Sequence, residues 1–559
     1  MKTSRLQKRV QSSRFTTAAI FFLTLCLILS GCLTVQDPST YYGRVVVPRS
    51  QEFRWSDGGL PQTFDPAFAA AAPDTDAVRA LFEGLTDYDP KTLSAVPAVA
   101  TRWESTGDGR IWTFYLRDDA RWSNGDRVTA QDFVRSWKRT LEIGPLAPHT
   151  ELLANIQGAV GNRIANHKIE PPKEAAGFGA EALDDHVLRV KLERSDTSFP
   201  ALVAHPVFRP VKFSERDPTR RLEANDLISN GAFQLSNTSN TRVSLEPSKM
   251  YWDGQAVTLQ RVTFVNTTNA EDALSAYRAG DIDAITNAAF EPLALKLLAP
   301  YKDFRRSTFG AVTYYNFNTA REPFDDIRVR EALAISIDRD RVSRDDLDGA
   351  TEPAGKFFPA TSSDDQPVIG KTALIEQDIN RATQLLAEAG FPNGEGFPTV
   401  RLLINRNEQQ RIVAQAIAEM WKSALNIQTE IIVKNWDEYE AAIRTGDYDV
   451  VRRGLVMQTT DELTNLRMIF ERDVTPLPTA PPLTNGTQAK ETASPEKLPG
   501  APLVESEAQA LKELRSMPIY FASSYSLVKP YVGGFDSNVL DISSLKRVRL
   551  ETNWTEQRP

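Results

Sequence analysis

Apolar positions along this chain follow two periods, and segments of each take turns. From Trp112 to Leu116 bulky and smaller side chains alternate, the period of a half-buried strand. Thr313 to Asn318 is aromatic-rich, as extended segments prefer. A turn follows at Glu322-Pro323-Phe324-Asp325, and the spacing then changes. Ile327, Leu333, Ala334 and Ile337 recur at helical intervals, with Asp325 or Asp326 placed to cap the helix. Earlier, a strand from Phe53 runs into Gly58-Gly59. Thr129-Ala130-Gln131-Asp132 opens a helix carrying Phe133 and Trp137 four residues apart. Later come a helix (EDALSAYRAG) stopped by glycine, a second ending before Gly390, and a strand from Val400 to Ile404. An amphipathic helix from Gln410 to Ala424, a strand from Ile427 to Val433, a helix from Trp436 and a strand re-entered near Tyr448 complete the run. Strands alternating with helices up to about Gly454 predict an α/β lobe.

At 559 residues the chain exceeds one ordinary core, so two to four domains are expected. A net charge of −8 with no basic stripe argues against nucleic acid as a partner. The N-terminus is of another class. Lys2, Arg5, Lys8, Arg9 and Arg14 precede an apolar run from Thr17 to Leu29, too short to span a bilayer comfortably, and then Leu29-Ser30-Gly31-Cys32. Residues 1–31 therefore read as a signal peptide. The motif resembles a lipoprotein lipobox, which implies lipid attachment at Cys32; the alternative is a plain signal peptide ending in a small residue. The only other cysteine is Cys26, inside the signal, so no disulfide is expected in the exported body. Residues 32–50 are polar and turn-prone, a tether. Residues 471–503 hold seven prolines among polar residues and read as a long loop or disordered segment.

Little here resembles catalysis. The four histidines, His149, His167, His186 and His205, lie on separate predicted elements without metal-ligand spacing. No G-x-S-x-G, H-E-x-x-H or G-x-x-x-x-G-K-[ST] occurs. We expect no enzyme, no metal and no cofactor. Trp122, Phe133 and Trp137 read as core anchors, and Asp126 and Asp132 as turn and cap residues, not an acid/base pair.

Two long runs are distinctive. Residues 316–340, NFNTAREPFDDIRVREALAISIDRD, and 112–139, WTFYLRDDARWSNGDRVTAQDFVRSWKR, resemble signatures of the extracytoplasmic solute-binding proteins that serve peptide-importing ABC transporters, the oligopeptide- and dipeptide-binding family. The resemblance covers most of 51–470 and 517–550. It implies an α/β, two-lobe periplasmic-binding-protein fold (type II-like) with an extra subdomain on the first lobe. The expected division is 51–84, 205–264 and 518–559 for the first lobe, 85–204 for the subdomain and 265–517 for the second lobe. It also implies a ligand held between the lobes by main-chain bonds to the strand around Gly454–Val456. Candidate ligand residues are Asn230, Gly231, Asn316, Arg452, Gly454, Val456, Gln458 and Asp461. In peptide-binding members an aspartate just past this glycine pairs with the ligand's α-ammonium; here that position is Gln458, and Leu455 replaces a tryptophan. Asp461 substitutes only if the loop is rearranged. Arg452 matches a family arginine near peptide carboxylates; a surface ion pair is the alternative.

The resemblance thus implies a lipid-anchored protein of the periplasm or cell envelope, acting as a monomer. Its partners would be a peptide or related solute, ABC importer permease subunits and the membrane. The alternative is a divergent binder, sensor or envelope adaptor without a transport role.

Overall fold

The computed structural model describes residues 40–106, 108–159, 163–165, 168–170, 177–213, 217, 219–360, 374–470 and 504–556. The signal peptide, Cys32 and the segment 471–503 lie outside them.

Strands β1 (Glu52–Asp57), β2 (Ala100–Thr106), β3 (Ile111–Leu116), β4 (Ala180–Asp184), β5 (Val187–Lys191), β6 (Phe233–Thr238), β7 (Arg242–Pro247), β8 (Arg261–Val265) and β9 (Ala284–Thr286) precede the long β10 (Phe304–Phe317). After it come β11 (Thr351–Pro353), β12 (Val400–Asn405), β13 (Thr429–Lys434), β14 (Val450–Val456) and the long β15 (Ser516–Val528). One sheet runs β6-β7-β8-β1-β9-β15-β10-β14-β12-β13, with β11 also on β15. A separate four-stranded sheet, β2-β3-β5-β4, builds the subdomain.

Two large apolar cores lie along the sheet; the second takes Val312–Phe317 of β10 and Met517–Phe521 of β15, while Phe304 and Leu527 at their other ends meet in a smaller cluster. Their pairing is regular from Phe304↔Leu527 to Thr308↔Ser523, breaks, and resumes from Val312↔Phe521 to Asn316↔Ser516. The break at 309–311 and 522 is where the chain passes between two lobes. Gly310 sits in it, donating to Val539 O (2.6 Å) and accepting from Met457 N (2.7 Å). A Cβ there would meet Val539 O at 2.8 Å, so the crossing requires glycine.

β9 is parallel to β1 and antiparallel to β15, so Ala284–Thr286 lies beside β1 in the sheet. The tether is corrected in part. Tyr42 N donates to Asp303 Oδ1 (2.8 Å), Arg44 N to Arg278 O (2.9 Å), and buried Lys529 Nζ to Arg44 O (2.9 Å), so 40–44 is docked on the first lobe.

Local rules explain the helices that matter. Helix α1 spans Asp74–Leu81 and buries Ala77, Val78, Ala80 and Leu81. Helix α2 (Ala130–Ile143) starts with the expected Thr129/Asp132 capping box. It buries Phe133 and Trp137, and Trp122 is buried beside them. Its Arg139 reaches Asp65 with two bonds, 2.9 and 2.6 Å, both side chains excluded from solvent; this pins the subdomain to the first lobe. Asp126 takes Lys212 (2.6 Å) in a turn, as expected. Helix α3 (Ile327–Ile335) is capped by Asp326, α4 (Glu408–Leu425) by Asn407 and α5 (Trp436–Thr445) by Asn435; α6 (Glu462–Phe470) follows β14.

Candidate functional site

Parallel strands end together, and in open α/β sheets ligands bind outside those carboxyl ends. In the first lobe β8, β1 and β9 are parallel and end at Val265, Asp57 and Thr286. In the second lobe β12 is parallel to both β13 and β14, and they end at Asn405, Lys434 and Val456.

β14 is the asymmetric member. It pairs with β10 along its whole length, from Val450 to Val456, but with β12 only at Val450 and Val451. Residues 452–456 therefore have one open edge. Asp449 O accepts from Asn318 N, and Met457 N donates to Gly310 O. Peptide groups alternate sides along a strand, so Val451, Arg453 and Leu455 face β10 while Arg452, Gly454 and Val456 face the open edge. Gly454 is exposed and Val456 is 49% exposed. Two of these three carbonyls already have internal partners. The Tyr439 hydroxyl of α5 donates to Arg452 O, and Gln458 Nε2 donates to Val456 O at 3.3 Å. Trp436, 61% exposed at the start of α5, lies 5.6 Å from the Tyr439 ring.

The loop after β14 lies against the first lobe. The Gln458 side chain lies beside His205, Thr459 Oγ1 is 3.4 Å from the Tyr88 hydroxyl, and the Asp461 carboxyl lies beside Asp196. His205 is buried, its Nδ1 accepts from Val207 N (3.2 Å), and its ring packs edge-on against His149 at 5.0 Å. Burial, with His149 and Arg79 adding like charge, holds His205 well below the usual histidine range. Burial pushes the Tyr88 hydroxyl up to about 12. Asp196 and Asp461 are both buried, and two carboxyls hydrogen-bond each other only by sharing a proton. Desolvation and the Asp461 charge push Asp196 up to about 7.

A second carboxyl pair sits at the end of β1. Asp57 Oδ1 accepts from Thr286 Oγ1 and Asn287 Nδ2, both at 2.6 Å. Asp57 is also in contact with Asp76 of α1, and burial raises both. Arg79 stands 3.7 Å from Asp76. Desolvation pushes nearby Asp541 up to about 6.

The expected site residues divide cleanly. Gly454, Val456, Arg452 and Gln458 share the open edge and its end. Among the described residues Arg452 has no ion-pair partner: its Nη2 bonds Thr313 Oγ1 (3.2 Å) and its guanidinium overlies Gly454. Asp461 is buried, accepts from Thr464 N (2.6 Å) and faces Asp196, so it does not stand in at position 458. Three candidates lie elsewhere. Asn230 is buried and exchanges two 3.0 Å bonds with the Glu83 backbone. Gly231 presses on the end of α1, where a Cβ would meet Ala80 O at 2.6 Å. Asn316 accepts from Ser516 Oγ (2.7 Å) inside the β10/β15 ribbon. Each of the three makes a contact inside the fold, away from the open edge of β14. Sequence reasoning missed Tyr439, Trp436, Asp196 and His205. The histidines lie on separate elements as read, yet His149 and His205 meet; the described residues contain no metal-ligating cluster.

Comparison with known proteins gives consistent likenesses. The profile for bacterial extracellular solute-binding proteins, family 5 (middle), matches residues 94–475. The periplasmic murein peptide-binding protein MppA of Escherichia coli (strain K12) is 31% identical over 527 residues, covering 92% of this chain and 96% of that protein. The periplasmic oligopeptide-binding protein OppA of Salmonella typhimurium (strain LT2) is 29% identical over 545 residues, covering 91% and 95%. Among solved structures, the unliganded open form of the MppA periplasmic murein tripeptide binding protein superposes with a TM-score of 0.72 at 28% identity, covering 90% of this chain and 98% of that one.

Proposed function

The chain belongs to the bacterial extracellular solute-binding proteins of family 5, and from that membership we propose that it captures a peptide between its lobes for an ABC importer. The observation that carries this reading is the open edge of β14 at 452–456, which lacks a strand partner beyond Val451. An extended peptide supplies the missing strand, the mode in which main-chain bonds give affinity and side-chain pockets give selectivity. Gly454 lets the ligand backbone approach closely, and Trp436 offers an aromatic face beside it. Arg452, whose Nε has no hydrogen bond within the described residues, is the cation for a ligand carboxylate. Val456 O becomes available once the Gln458 amide turns away.

Closure follows from differential contact. A ligand that touches the second lobe at β14 and the first lobe beyond 457–461 favours the state in which both are within reach. Movement concentrates where β10 and β15 lose register, at 309–311 and 522. Cys32 carries a lipid in this reading, which holds the protein at a membrane of the cell envelope, and the monomer is the working unit.

Native mass spectrometry of protein purified without denaturation tests the proposal. We expect a mass excess, lost on unfolding, that fragments as peptide. A bound species of any other chemistry, at full occupancy, contradicts it.

A further inference from the structure

We infer that the short helix Pro292–Leu298 and the turn after it form a surface that rests on the bilayer, with Leu293 and Leu297 entering the lipid interface. The inference rests on the lipid anchor at Cys32 in the reading above, and names the face of the protein that the anchor turns toward the membrane.

The helix has two sides. Leu298 is buried in a small cluster with Tyr277, Ile285 of β9 and Leu527 of β15. Leu293 and Leu297 stand one turn apart on the other side, 68% and 65% exposed, and no large apolar side chain among the described residues is more exposed. Single exposed leucines are common, but here a pair shares one helix face, and Pro292, Ala299 and Pro300 are exposed with them. From Ala289 to Lys302 the chain carries two lysines and one glutamate, a locally cationic stretch in a chain of net charge −8. Lys296 pairs with Asp348 (3.0 Å), and Lys302 is exposed with no ion-pair partner among the described residues. An apolar strip with lysines at its edge suits a surface of anionic lipid.

What covers this strip follows from where the tether leaves the fold. Lys302 N, four residues past Leu298, donates to Thr40 O (3.0 Å). The segment after Thr40 is pinned. Tyr42 N donates to Asp303 Oδ1 (2.8 Å), Arg44 N to Arg278 O (2.9 Å), and the buried Lys529 ammonium to Tyr42 O (3.3 Å) and Arg44 O (2.9 Å). The exit is therefore fixed beside the end of the helix. Only residues 33–39 separate Thr40 from Cys32, and those eight steps reach about 26–29 Å at full extension. A lipid at Cys32 thus keeps Lys302, and Leu297 five positions before it, close to the bilayer. Beside the exit Tyr41 packs edge-on against Trp554 at 5.7 Å, an aromatic pair of the kind that sits at headgroup level. A short tether raises the local concentration of lipid surface, so a two-leucine patch too small to bind membranes alone stays engaged.

The test reconstitutes the full lipidated chain into phosphatidylethanolamine vesicles containing about a quarter phosphatidylglycerol and some doxyl-labelled lipid. With the signal removed and Cys32 acylated, an introduced cysteine is the only free thiol and carries a fluorophore. At Leu297→Cys we expect a blue shift and at least about twofold quenching by the labelled lipid. Ser423→Cys, an exposed position on α4 in the second apolar core, should show neither. Adding Leu293→Glu should return the signal at 297 to the level at 423 without moving the melting temperature, since that side chain is exposed. Vesicle-bound protein with both positions unquenched overturns the inference and leaves the anchor and peptide binding intact. Shielding of 297 without quenching, seen only when importer subunits share the vesicle, overturns it in favour of a protein partner. A chain that takes up no lipid and leaves the vesicles removes the anchor and this inference together, while the copurified ligand still tests the peptide reading.

Discussion

Val456→Pro separates the open edge from the rest of β14. The N–H of residue 456 points away from β10, because Met457 N and the odd positions before it face that strand. Proline removes that N–H and places its ring where a ligand strand would lie. It takes no bond from the β10 ladder, and residue 455 is already extended, as the position before proline prefers. Val456 is half exposed, so little apolar burial is lost. We expect stability to change by about 1 kcal/mol or less. Ligand affinity should fall further. One lost main-chain bond is worth about 0.5–1.5 kcal/mol, or roughly 2–13-fold in Kd, and the ring's exclusion of the partner strand adds to that. Leu455→Pro is the control: it breaks a bond to β10 at a buried position and should lower stability by about 3 kcal/mol or more. Calorimetry with the copurified ligand, beside denaturant melts, reads both. If Val456→Pro binds within twofold of wild type while melting normally, the ligand does not use this edge.

Three further outcomes are expected. Asp196 is pushed up to about 7, so the folded chain holds a proton that the unfolded chain has released; that stabilisation is complete below about pH 4 and lost as pH rises to about 7. Melts from pH 5 to 8 should show a loss of about 2 kcal/mol that Asp196→Asn flattens, and an unchanged slope in that variant would refute the assignment. Arg139→Leu strands the buried Asp65 carboxylate and should cost about 3–5 kcal/mol by urea melt, with Asp65→Asn, Arg139→Leu together costing less than either single change implies. Cys32→Ser should release the protein into the soluble fraction and abolish radiolabelled lipid uptake; a variant that stays membrane-bound, beside a wild type that takes up no label, removes the anchor.

The elements were legible because their signals are local. The Thr129 capping box, Asp326 as cap, the glycine stop after EDALSAYRAG and the strand at 400–404 each depend on neighbours within a turn. The order of strands in the sheet was not, because it depends on pairing at long range. β9 has only three residues, and nothing in Ala284-Ile285-Thr286 announces that it adds to β1, some 230 positions earlier in the chain. The same limit governs the site. Gly454 and Val456 were reachable from the strand itself. Tyr439 was not, since it acts on that strand across a fold contact from a separate helix. Asn230, Gly231 and Asn316 were read as ligand residues because they stand in recognisable runs; each also has a partner inside the fold, the Glu83 backbone, the end of α1 and Ser516 respectively.

A structure of the protein with its copurified or added peptide measures the central claim directly. The account predicts ligand main-chain atoms at hydrogen-bond distance from Gly454 and Val456, with the Gln458 amide turned off Val456 O. It also predicts lobes rotated about 309–311 and 522. A ligand bound elsewhere, with the 452–456 edge bare and Gln458 still on Val456, would contradict it.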